Sequence, residues 1–146
     1  MIMEERHKSR IIVDLILERM NEGSREILLM LRQNTGYLDE YYDLPGGHLD
    51  PNEDIFDAMI REAKEEIGII IKREDLEIIH INHVFSKNIL KFVFKTEKYE
   101  GTIKNAEEDL CKEIKWIEST NLPENIIPGI KKEIYDIQKG IYYANS

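Results

Sequence analysis

Cysteine is nearly absent: Cys111 is the one thiol in 146 residues. A lone thiol closes no intrachain disulfide and supplies no cysteine-rich zinc site. Long apolar runs are missing too. The longest, Ile11 to Leu17 and Ile67 to Ile71, fall short of a bilayer span and carry or adjoin charges, so no membrane partner is expected. The early residues Glu4, Glu5, Arg6 and Lys8 lack the basic-then-apolar layout of a secretory leader, and a reducing cytoplasm is the expected compartment. Positive charge is in deficit: 20 Lys and Arg stand against 29 Asp and Glu, a net charge of −9. That balance opposes attraction to a polyanion and argues against a nucleic-acid partner. A small anionic substrate stays compatible with it if a divalent cation sits between the two sets of negative charge. Repeats and low-complexity tracts are also absent. Hydrophobic residues at 42% and charged residues at 34% are a globular composition, and the length suits one compact domain over residues 1–146.

The segment Arg10 to Arg19 is rich in Ile, Val and Leu and predicts a buried strand. Asn21 to Ser24 is a turn signal, and Arg25 to Arg32 predicts a second strand, so the two form a hairpin. Gln33 to Asp43 reads as a loop, and Leu44-Pro45-Gly46-Gly47 as a stop to regular structure. Asp50-Pro51-Asn52-Glu53 then opens a helix, with Asp50 as cap, Pro51 at the first position and Glu53 at the third. Ile55, Ala58, Met59, Ala63 and Ile67 keep helical spacing and Gly68 terminates, which places one amphipathic helix near 53 to 67. Strands are expected at Leu76 to His83, Ile89 to Thr96 and Glu113 to Ile117, with a closing helix at Ile127 to Lys139. This order predicts an α/β fold, a mixed sheet between helices.

The chemistry lies between Gly47 and Ile69. Glu62, Glu65 and Glu66 are three and four residues apart, so on a helix they project from one face. Three carboxylates there repel one another unless a positive charge sits among them. A hard divalent cation with oxygen ligands, magnesium or manganese, removes that penalty. Gly46 and Gly47 let the backbone approach a phosphate or a metal-bound water closely. Gly46 thereby joins the carboxylates as a candidate metal ligand, and Gly46, Gly47 and Arg32 are candidates for substrate contact.

Gly47, Glu53, Arg61, Glu62, Glu65, Glu66 and Gly68, with Ala63 and Ile69 in the aliphatic slots, match the Nudix box, and the chain resembles the Nudix hydrolase superfamily. Leu44-Pro45-Gly46-Gly47-His48-Leu49 ahead of the box, and Trp116 and Leu122-Pro123 after it, resemble the MutT-like branch. Pro51-Asn52-Glu53 departs from the frequent Pro-Gly-Glu at a position that is not fixed. The resemblance implies a mixed sheet between helices, with Glu62, Glu65 and Glu66 binding Mg2+ or Mn2+. It also implies that water attacks a phosphorus of a nucleoside diphosphate derivative, the metal activating the water and neutralising phosphate charge. Glu65 is the first candidate for the base and Glu107, in Asn105-Ala106-Glu107-Glu108-Asp109, the second. Arg61 is expected to pair with Glu53 and hold the loop against the helix.

Several residues carry plainer alternatives. Glu62, Glu65 and Glu66 on an isolated helix would be a solvated face; the glycines and arginine in register argue against that here. Asp50, Asn52 and Asp54 resemble the start of a calcium loop, but Ile55 and Arg61 stand where that loop needs glycine and a carboxylate. Glu53 is either a capping residue or a support for the site. Tyr37, Tyr41, Tyr42 and Phe85 offer rings for a base, with packing the plainer role. His48, His80 and His83 read as hydrogen-bonded side chains, Cys111 as a small apolar residue, and Lys131-Lys132 as a solvated helix face. A nucleoside triphosphate, including oxidised nucleotides, heads the candidate substrates, followed by ADP-ribose, sugar nucleotides and dinucleoside polyphosphates. A catalytically silent nucleotide-sensing domain is the alternative of another class, and a protein-interaction module rests on net charge alone. A homodimer is compatible with the chain, although no exposed apolar stripe marks an interface.

Overall fold

The computed structural model describes residues 4–146. Its sheet has eight strands: β1 (Arg10–Asn21), β2 (Ser24–Arg32), β3 (Tyr42–Asp43), β4 (Gly46–His48), β5 (Glu77–Val84), β6 (Ile89–Thr96), β7 (Cys111–Glu118) and β8 (Tyr143–Asn145). The helices are α1 (Ile55–Ile67) and α2 (Pro128–Gln138). Neighbours run β3-β2-β1-β6-β5-β8, with β4 on β1 and β7 on β2. β1 is the hub. Its end forms the predicted hairpin with β2, its first half pairs antiparallel with β4, and its other edge pairs parallel with β6 from Arg10↔Ile89 to Leu17↔Thr96. The expected mixed sheet is therefore present, with a helix on each face.

Strand alternation divides the apolar side chains between those faces. Val13, Leu15, Leu17, Leu28 and Phe94 pack with Ala58, Met59, Ala63 and Ile67 of α1. Ile16, Ile27, Leu29 and Val93 pack with Ile130 and Ile134 of α2. Among the described residues, no helix is long and apolar enough to cross a membrane.

Three local expectations are corrected. The helix starts at Ile55, and its cap is Asp54 rather than Asp50: Asp54 accepts the Asp57 N–H at 2.8 Å while the Asp57 carboxylate reaches back to the Asp54 N–H. A carboxylate three residues further on completes a capping box around Asp54, leaving Pro51 and Glu53 in the preceding loop. The Gly-Gly stop is not structureless, because Gly46–His48 pairs with Ile12–Asp14 of β1 as β4. The chain also ends on β8, parallel to β5 at Ile81↔Tyr143, where no strand was expected. Gly68, left-handed at φ +71°, does end α1 as predicted.

Candidate active site

The amphipathic pattern of α1 presses Met59, Ala63 and Ile67 into the core and leaves Glu62, Glu65 and Arg61 on the side facing β4 and its following loop. Arg61 organises that side. Its guanidinium donates to Glu53 at 2.8 and 3.1 Å, to the His48 carbonyl at 3.0 Å, to Glu62 at 3.0 Å and to Glu65 at 3.2 Å. The Glu53 hydrogen bonds hold Arg61 charged above its ordinary range, and in return keep the Glu53 carboxyl below its own. Glu53 also accepts the Asp50 N–H at 2.7 Å. The expected Arg61–Glu53 pairing of loop to helix is thus present, and Glu53 is not the helix cap.

A lysine offers one compact ammonium where this site uses a planar fork with several partners. Arg61→Lys is therefore expected to lower unfolding free energy by about 1–3 kcal/mol, the range for lost charged hydrogen bonds. Urea unfolding without divalent ions reads this directly; a midpoint unchanged from the original chain would show that Arg61 is not what fastens the loop.

Glu66 is buried on the inner edge of the same helix face. The Gly46 N–H reaches both its oxygens, at 3.3 and 3.4 Å. Burial, a hydrogen bond with Glu62 and the charges of Glu62 and Glu107 push its pKa up to about 10. Gly47 sits under Glu62, where any Cβ would collide with the carboxylate, and a Cβ on Gly46 would strike Val13 and Asp14 of β1. At Gly46 the β1 backbone leaves no room for a side chain, whereas at Gly47 a Cβ would meet only the movable end of the Glu62 side chain.

Glu107 comes from the segment before β7. Lys104 N–H donates to Ile67 O and Ala106 N–H to Glu66 O, each at 3.0 Å, which fastens the loop over the end of α1. The Asn105 side chain donates to Cys111 O at 2.7 Å and accepts the Glu107 N–H at 3.2 Å. Desolvation and the charges of Glu62 and Glu65 raise the Glu107 pKa. Glu66, Glu107, Gly46, Arg32, Asp43 and Cys111 line a cleft of about 240 Å3. Arg32 reaches Asp43 at 3.1 Å, Thr35 Oγ1 at 3.0 Å and Tyr37 O at 2.9 Å. A larger groove of about 740 Å3 lies between α2 and the segment before it, lined by Lys131, Lys132, Tyr135 and uncharged residues. It shares no lining residue with the cleft and gathers no carboxylates.

Among the described residues, no three acidic, histidine or cysteine side chains converge on one point at ligating distance. Glu62 and Glu65 turn to Arg61, and Glu66 to Gly46. The donor set nevertheless suits a hard cation: it is all oxygen, it places three carboxyl groups along one side of α1, and a divalent ion would offset the burial and the neighbouring carboxylates that raise Glu66.

Other residues fall outside this cluster. Tyr42 is buried and donates to Glu113, whereas Tyr37, Tyr41 and Phe85 are exposed. His80 is buried with Nδ1 at 2.8 Å from Ile141 O. Cys111 is a buried wall of the cleft. Sequence reasoning missed Asp14 and Asp43, which crowd the β4 side, and Asn105, which shapes the Glu107 loop. Asp14 did leave a signal, as the one charge inside the apolar run of β1.

Comparison with known proteins agrees with this architecture. A family model described as "NUDIX domain" matches residues 8–136. The chain is 29% identical over 116 residues to the ADP-ribose pyrophosphatase of Methanocaldococcus jannaschii, covering 78% of this chain and 64% of that one. It is 25% identical over 136 residues to the 8-oxo-dGTP diphosphatase of Buchnera aphidicola, covering 92% and 97%. Across the curated relatives it matches, the chain spans from 35% to 97% of their lengths. The crystal structure of a MutT NUDIX hydrolase from Burkholderia pseudomallei superposes with a TM-score of 0.74 at 21% identity, over 88% of this chain and 97% of that one. A sheet with one helix on each face, glutamates along one side of α1 and a family match over most of the length leave one assignment: the chain belongs to the NUDIX domain family.

Proposed function

We propose that this cleft hydrolyses the phosphoanhydride of a nucleoside triphosphate, oxidised nucleotides included, with Mg2+ or Mn2+ held by Glu62, Glu65 and Glu66. Family membership makes the chain a Nudix pyrophosphohydrolase; the proposal concerns its substrate and its site. One observation carries it: α1 and the loop before β7 gather Glu62, Glu65, Glu66 and Glu107, and Glu66, reached by the Gly46 N–H, lines one cavity with Glu107 and Arg32. The Buchnera relative, which this chain matches over nearly its whole length, is named for a triphosphate substrate, and this favours the triphosphate over ADP-ribose.

A bound divalent ion supplies charge neutralisation at the phosphates and a lowered pKa for the attacking water. Water oxygen then bonds to phosphorus, the anhydride P–O bond breaks, and the water proton passes to a carboxylate. Glu107 suits that last role better than Glu65, because it lines the cleft and is desolvated, while Glu65 is half exposed and paired with Arg61. Arg61 is engaged with Glu53, Glu62, Glu65 and the His48 carbonyl, and lies 3.3 Å from Asp50, so it serves as support. Arg32 at the cleft wall would exchange its loop contacts for phosphate.

The test is product formation with Mg2+ or Mn2+ from nucleoside triphosphates, oxidised deoxynucleotides, ADP-ribose, sugar nucleotides and dinucleoside polyphosphates. Preferential cleavage of a triphosphate supports the proposal, and preference for ADP-ribose overturns the substrate. Metal-dependent binding of nucleotide without any turnover would instead favour a sensing domain.

A further inference from the structure

β1 carries one acidic residue in an otherwise apolar stretch. Asp14 is 5% exposed, and a carboxylate in that position is costly unless it is paired. Lys91 of β6 lies 3.1 Å from Asp14 Oδ2 and 3.1 Å from Glu133 Oε1 of α2, and Asn82 of β5 donates to Glu133 Oε2 at 3.2 Å. Burial works against the Lys91 charge, but Asp14 and Glu133 more than restore it. The other oxygen of Asp14 rests against the α-carbon of Gly46, where a Cβ would overlap Oδ1. Gly46 pairs with Asp14 in register, Pro45 O accepts the Leu15 N–H at 2.8 Å, and the Gly46 N–H is the group that reaches Glu66.

We propose that Asp14 is a positioning residue for the metal site: clamped by Lys91 and Glu133, it buttresses the Gly46 backbone and so fixes Gly46 and the Glu66 carboxylate that it holds. This rests on the metal reading given above. The chain of contacts runs from α2 through β6, β1 and β4 to α1, crossing the sheet from one helix to the other. A buried ion pair is a poor source of stability compared with apolar packing, but it does fix orientation.

The experiment titrates Mn2+ without substrate, following free Mn2+ by EPR, and measures amide hydrogen exchange at Gly46 and at Leu17. Asp14→Ala and Asp14→Ser remove the buttress, whereas Asp14→Asn keeps its shape and drops its charge. Mn2+ affinity is expected to fall at least about tenfold in the Ala variant, the lower end for lost support of a ligand, with Gly46 exchange accelerated and Leu17 unchanged. The Ser variant gives the same result if the Ala variant does not fold. Asp14→Asn is expected to recover affinity to within about threefold, as isosteric support should. An Asn variant as weak as Ala or Ser, or an Ala or Ser variant that binds as tightly as the original chain, overturns the positioning role. An original chain that binds no Mn2+ overturns the metal reading itself, and the inference with it.

Discussion

Glu66→Gln is expected to remove metal-dependent turnover while leaving the metal-free chain at least as stable as before. Glu66 is buried beside Glu62 and Glu107, and burial first, then those carboxylates, push its pKa up to about 10. A carboxyl raised in the folded state contributes its full stability below its ordinary value of 4.5 and loses that contribution as pH climbs toward 10. The amide is neutral throughout, has the same shape and still accepts the Gly46 N–H. Urea unfolding in chelator should therefore decline between pH 5 and pH 9 for the original chain and much less for the variant. With divalent ion present the order reverses. The ion would hold ionised the carboxyl that burial and its neighbours keep protonated, and an amide offers it no charge, so the thermal stabilisation by Mg2+ that follows from selective binding to the folded state should vanish. A lost ligand forfeits several kcal/mol of charge stabilisation, which at about 1.4 kcal/mol per tenfold is roughly a thousandfold in kcat/KM. A variant that keeps its Mg2+ thermal shift and most of its turnover would remove Glu66 from the metal site.

The candidate site was legible where its geometry is local. Glu62, Glu65 and Glu66 share a helix face because of spacing alone, and Arg61 is eight residues from Glu53, near enough for the loop to fold back onto it. Glu107 was legible only as an acidic loop, because its place depends on the Lys104–Ile67 and Ala106–Glu66 hydrogen bonds across some forty residues of chain. The Asp14–Lys91–Glu133 contact joins three elements far apart in sequence, which no periodicity records. The misread cap has a local cause: Asp50 and Asp54 both precede an apolar run, and the choice falls to Asp54 because Asp57 and Arg73 both engage it. β4 looked like an interruption because Gly-Gly is a poor strand former; its strand character is imposed by the open edge of β1. β8, at three residues, is too short to display a period.

Glu107→Gln is expected to slow the chemical step by about 10²- to 10⁴-fold, the range a positioned general base contributes, while metal affinity changes little. The two candidate bases separate on this point. Glu65 lies half exposed on α1, tied to Arg61 at 3.2 Å, among the carboxylates proposed to hold the ion. Glu107 approaches the same cluster from a separate loop and lines the cleft beside Glu66 and Gly46. Glu65→Gln should therefore raise the Mn2+ concentration needed for half-maximal rate, with part of the rate recovered at saturation. Glu107→Gln should keep that concentration within about threefold and lose kcat at every Mn2+ concentration, because an amide of the same size preserves packing but accepts no proton. The acid limb of the kcat profile should disappear with Glu107 and persist with Glu65 if Glu107 is the group that must be ionised. The opposite pattern, a full-rate Glu107→Gln enzyme and a Glu65→Gln enzyme whose kcat stays low at saturating Mn2+, would return the base to α1. The loop before β7 would then be a wall of the cleft rather than a participant, and the raised pKa of Glu107 would reflect only its desolvated place beside Glu62 and Glu65.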